Sequence, residues 1–159
     1  MTQIPVAEYL KTNYRPDREY IDGEVRERNV GKWEHARVQF LLALWFGNHE
    51  SVWNVIGSTE QRVRVSATRV RVPDLVVVRP GPQPEVLTDD SYSDTEERAR
   101  DYWAMGVETV WIIDPKTRSG RMCGGAEWVG ARRLEVAGTA MFVDLDALFA
   151  QLEWVGTAE

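Results

Sequence analysis

The chain predicts an α/β (α+β) fold, and three observations carry that expectation. One amphipathic helical stripe runs over 33–48, apolar β-branched runs occupy 69–78 and 107–113, and tight-turn signals mark hairpins near residues 22 and 67. The order helix–strand–strand–helix–strand, with extra strands at both ends, fits a single domain spanning 1–159. That length suffices for a real core.

Taken in order, residues 5–13 read as a short first helix, because Pro5 suits an early helical position. Glu19-Tyr20-Ile21-Asp22-Gly23-Glu24-Val25 reads as a hairpin around Asp-Gly. Over 33–48, Val38, Leu41, Leu42 and Trp45 share one stripe with His35, and Gly47-Asn48 offers a stop. In 61–65 and 69–72 valines alternate with arginines, joined by Ser66-Ala67-Thr68. This predicts a hairpin with an apolar face and a cationic face holding Arg62, Arg64, Arg69 and Arg71. Such a face could contact a DNA backbone, or could simply protect a sheet edge.

The run 69–78 can only be a strand, yet it contains Pro73-Asp74. A proline cannot donate to a ladder and belongs at a strand start, edge or bulge. A carboxylate among apolar residues is costly unless compensated. Asp74 is therefore either an acid presented at a distorted strand or a turn residue facing water. Residues 79–94 hold three prolines, a glycine and four acids without periodicity, and read as loop. Ser93-Asp94-Thr95-Glu96 matches a capping box for a helix that Gly106 ends near Met105. The strand over 107–113 follows, then weaker strands near 120–129 and 132–136. Asp144 is placed to cap a last helix bearing Leu145, Leu148, Phe149 and Leu152.

Composition narrows the function. Apolar content of 43% and 28% charge are globular values. The single Cys123 excludes an internal disulfide and a cysteine-based zinc site, and fits a reducing compartment. No secretory signal is read at the N-terminus, and no apolar run approaches the ~20 residues needed to span a bilayer. A cytoplasmic, non-membrane protein is expected. A net charge of −6 argues against binding nucleic acid through a broadly basic surface, but not against an acidic metal site. The seven tryptophans read as packing residues rather than base-stacking platforms.

Several segments resemble the Uma2 family of restriction-endonuclease-like proteins when taken in order. They are Arg18-Glu19-Tyr20-Ile21-Asp22-Gly23-Glu24, His35, Val72-Pro73-Asp74, the run 101–108 (Asp-Tyr-Trp-Ala-Met-Gly-Val-Glu) and Val110-Trp111-Ile112-Ile113-Asp114-Pro115. The resemblance covers about residues 5–150. It implies a restriction-endonuclease-like mixed central sheet flanked by helices, in the PD-(D/E)xK class, and Mg²⁺- or Mn²⁺-dependent hydrolysis of DNA phosphodiester bonds. DNA is then the expected partner, with a homodimer as an option. Asp74 matches the first metal-binding acid, while Glu19 and His35 match supporting positions. Glu19 also reads as an exposed hairpin residue, and His35 as a satisfied core histidine.

The chain departs from the family pattern in the middle. Members usually carry another apolar strand ending in an acid, which would supply the second metal ligand. Either Glu85-Val86-Leu87 is that motif with a compressed loop, or those residues are loop and the acidic strand is absent. Pro82 and Pro84, just ahead of Glu85, favour absence. The usual lysine is also lacking. Arg98 stands where it migrates onto the next helix, suited either to phosphate or to an ion pair with Asp94 or Asp101. A metal-dependent endonuclease and a catalytically degenerate binding or dimerisation module are the two functions compatible with this pattern.

Overall fold

The structure, a computed structural model, describes residues 3–28, 33–78, 85–88, 92–123 and 127–152, with the side chains of 85–88 and 92–95 left aside. The described part is built on two antiparallel-rich sheets between which the chain crosses three times, after Glu27, Thr59 and Arg71. Helix α1 (Val6–Lys11) precedes the hairpin β1 (Arg18–Ile21) and β2 (Glu24–Glu27). Asp22 and Gly23 turn it with φ of 49° and 100°, the left-handed pair that Asp-Gly supplies at least steric cost. With β4 (Val63–Ser66) and β5 (Arg69–Arg71) these strands form a four-stranded sheet in the order β2-β1-β5-β4. Tyr9, Tyr20 and Val70 pack on one of its faces.

The second sheet is six-stranded. Its members are β3 (Ile56–Thr59), β6 (Leu75–Val78), β7 (Glu85–Thr88), β8 (Val110–Asp114), β9 (Ser119–Cys123) and β10 (Trp128–Gly130). Their order is β10-β9-β8-β7-β6-β3, with β7 parallel to β8 and the other neighbours antiparallel. Alternation along β8 divides the core. Trp111 and Ile113 join Val38, Leu42 and Phe46 of α2 (Trp33–Trp53), together with Leu145, Leu148 and Phe149 of α4 (Leu145–Ala150). Val110 and Ile112 instead meet Ala99 and Tyr102 of α3 (Tyr92–Ala104). The sheet is thus covered by α2 and α4 on one face and α3 on the other. A small hairpin, β11 (Arg133–Glu135) and β12 (Phe142–Asp144), leads into α4. There Asp144 caps the helix by accepting from the Ala147 amide.

Three expectations are corrected. The acidic strand is present: β7 lies in the middle of the six-stranded sheet, where Glu85 pairs with Val76 on β6 and with Val110 on β8. The prolines do not prevent this, because they precede the first laddered residue and withdraw no donor from it. The four arginines do not share a cationic face either. Val63 pairs with Arg71 and Arg64 with Val70, and the register shifts between Arg64 and Ser66. Arg69 and Arg71 therefore turn toward α3, whereas Arg62 and Arg64 belong to the other side. Lastly, α2 runs through Gly47-Asn48 to Trp53, since Trp45, His49 and Trp53 stack along successive turns. It is Asn54, with φ of 53°, that ends it, as the Val55 amide bonds back to the Glu50 carbonyl.

Candidate active site at the sheet junction

Val72, Pro73 and Asp74 form the link by which the chain leaves β5 in the first sheet and enters β6 in the second. This accounts for the proline: at a change of sheet no ladder partner needs its amide. The amide just before it is not wasted, because Val72 donates 3.0 Å to Glu19 Oε1. Glu19, on β1, is only 2% exposed, so it is no solvent-facing hairpin residue. Its other oxygen accepts from Arg71 Nη1 at 2.9 Å, and Arg98 Nε stands 3.4 Å from Oε1.

Arg71 is fully buried and spans this junction. Besides Glu19 it donates through Nε to Asp101 of α3 at 2.8 Å. Burial works against its charge, but Glu19 and Asp101 more than offset that cost and hold its pKa above the ordinary guanidinium value. Arg69, one strand pleat away, donates to Asp101, Glu97 and Asp22. The Asp22 carboxyl is pushed below its usual range by those Arg69 hydrogen bonds. A ladder of alternating charges thus ties the first hairpin, the junction and α3 together. Arg62 lies elsewhere, paired with Asp17 and seated over the Tyr9 ring.

Asp74 is 4% exposed and faces a second group of side chains. Arg28 Nη2 donates to its Oδ1 at 2.8 Å, and His35 Nε2 of α2 lies 3.4 Å from the same oxygen. Arg28 Nη1 also engages Glu60. Gln39, one turn after His35, donates to Glu60 Oε1 at 2.9 Å and to the Asp74 carbonyl at 3.1 Å. Burial opposes the Arg28 charge, but Glu60 and Asp74 outweigh it and raise its pKa, with Arg98 acting in the opposite sense. Arg98, itself buried, stands against Glu19.

The predicted residues therefore gather at one junction from β1, α2, the β5–β6 link and α3: Glu19, His35, Asp74 and Arg98. Glu85 joins them at the level of the backbone. In the antiparallel register it lies opposite Val76, diagonal to Asp74 across the Leu75–Val86 pair. Arg98 meets Glu19 rather than Asp101, which Arg69 and Arg71 occupy. Asp89 and Asp90 lie outside the described residues, as does the Asp94 side chain. Sequence reasoning overlooked Arg28, Gln39, Glu60 and the role of Arg71 as a bridge. Gln39 carried a usable signal, four residues after His35 on the same helix; Arg28 and Glu60 meet only in three dimensions.

The donor type at Asp74 suits a hard divalent cation, which takes carboxylate oxygens. Among the described side chains, however, no group of three acids, histidines or cysteines could hold a metal ion.

A mixed sheet covered by helices on both faces, with a buried acid where the chain changes sheets, defines a restriction-endonuclease-like fold. The crystal structure of "a putative nuclease belonging to DUF820" from Anabaena variabilis superposes with a TM-score of 0.80 at 17% identity, over 94% of this chain and 99% of that one. Residues 6–137 match the Uma2 family model, described as "Putative restriction endonuclease", and the chain belongs to that family. No curated protein matches it. Among the described residues no helix is long and apolar enough to cross a membrane.

Proposed function

We propose that this chain hydrolyses phosphodiester bonds in DNA, with Asp74 and Glu85 as the paired acids of a metal-dependent site. The observation that supports the reading most is the register of β6 against β7, in which the two acids flank the Leu75–Val86 pair at the sheet junction. They would hold Mg²⁺ or Mn²⁺, which when bound polarises a phosphate and lowers the pKa of an attacking water. The chain's own groups divide the remaining work. His35 orients the Asp74 carboxylate from 3.4 Å, and an imidazole is a side chain suited to accept a proton. Arg98, steered by Glu19, offers a permanent positive charge to a phosphate but transfers no proton. Glu19 acts as a positioning residue: its two oxygens hold the Val72 amide and Arg71, which fixes the backbone leading to Asp74.

A second reading, a binding module without cleavage, draws on Leu87, which stands two residues after Glu85 where this class usually has lysine. One experiment separates the two. Supercoiled plasmid is incubated with the protein and Mg²⁺ or Mn²⁺, alongside Asp74→Ala. Nicking that needs the metal and vanishes in the variant is the expected result. Folded protein that neither cleaves nor binds metal would overturn the nuclease reading.

A further inference from the structure

Arg28 lies one residue beyond the end of β2, yet its guanidinium reaches the sheet junction and closes on Asp74. The pair is well shielded, with side-chain exposures of 11% for Arg28 and 5% for Asp74. Little water is available to screen a third charge there. A divalent ion bonded to the same carboxylate would stand beside the guanidinium and be repelled by it. Glu60 gives Arg28 a second anchor, and its side chain is half exposed, on the solvent side of the pair. Gln39 pins both acids, holding Glu60 Oε1 and the Asp74 carbonyl from a single amide nitrogen. Arg28 can therefore leave Asp74 without losing every partner.

We propose that Arg28 is a built-in counter-ion for Asp74, so that a divalent cation enters by displacing its guanidinium toward Glu60 rather than by filling an open site. This rests on the reading of Asp74 as a metal ligand. It also sets a compensating cation beside a buried acid before metal arrives. Metal affinity is then set by competition between two cations, one of them tethered.

The test is calorimetric titration of MnCl₂ into the full chain, with circular dichroism confirming the fold of each variant. Arg28→Gln is expected to bind Mn²⁺ at least tenfold more tightly than the native chain, and Asp74→Asn to lose binding in either background. Equal affinity of the native chain and Arg28→Gln, with Asp74→Asn inactive in binding, would overturn the counter-ion role and leave the metal reading intact. Absence of binding in both would overturn both. A second measurement on the unaltered chain covers the case in which Arg28→Gln does not fold. In ¹⁵N spectra the Arg28 Nε–H resonance must move as Mg²⁺ saturates the site, and an unmoved resonance at saturation overturns the proposal.

Discussion

Replacing Arg71 by methionine tests whether the charge ladder, rather than apolar packing alone, holds the junction. Arg71 is fully buried and its partners are Glu19, at 2% exposure, and Asp101. Methionine keeps much of the volume but leaves the Glu19 carboxylate without its strongest cation. Removing one member of a buried pair costs about 3–5 kcal/mol. The lower end applies, because Glu19 keeps the Val72 amide and Arg98. For a chain of this size about 3 kcal/mol corresponds to a fall in Tm of roughly 6–12 °C. Glu27→Gln is the control: its ion pair with Arg18 has side chains 38% and 77% exposed. It should cost below about 1 kcal/mol. Urea and thermal unfolding of both variants, with a double-mutant cycle through Glu19→Gln, give the comparison. If Arg71→Met is no less stable than Glu27→Gln, or if the cycle shows no coupling between residues 19 and 71, the junction is not held as argued.

Tyr9 makes stability depend on pH at the alkaline end. Burial pushes its phenol from 10.0 to about 12, and its hydroxyl donates to the Arg18 carbonyl at 2.6 Å. A raised folded pKa means that its contribution is whole below pH 10 and is lost as pH rises through about 12. Tyr9→Phe should flatten the decline in unfolding free energy over that window, and an unchanged slope would contradict the assignment. Gly120→Ala probes packing under β9, where an added Cβ would meet Leu145 Cδ1 at 2.5 Å and Leu134 Cδ1 at 3.4 Å. Both leucines are fully buried, so a shift of either disturbs the packing around it, and a cost of about 1–3 kcal/mol is expected in denaturant unfolding. Unaltered stability would mean that this part of the core is looser than its geometry indicates.

Local chemistry written into adjacent residues was legible in the sequence. Asp22-Gly23 specifies its turn through φ, Asp144 caps α4 through an oxygen three residues from its donor, and Gly106 ends α3. The 3.6-residue stripe of α2 and the apolar run of β8 declared their buried faces because period alone determines which side chains point together. Asp74 stood out for a similar reason, as a charge and a proline in a run that otherwise had to be buried.

Tertiary structure decided the matters that depend on what lies opposite. Residues 85–88 carry too few residues to announce a strand, and only the ladders offered by β6 and β8 make them one. The alternating arginines looked like one face because period 2 says nothing about register, and a single bulge sent Arg69 and Arg71 toward α3 instead of solvent. Glu19 likewise gained its role from Arg71, 52 residues away. The sequence by itself determined that an acid sits at a break in a strand. Which cation neutralises it, and that this cation is Arg28, 46 residues away, is a property of the folded junction, because charge pairing follows distance in space and not separation along the chain.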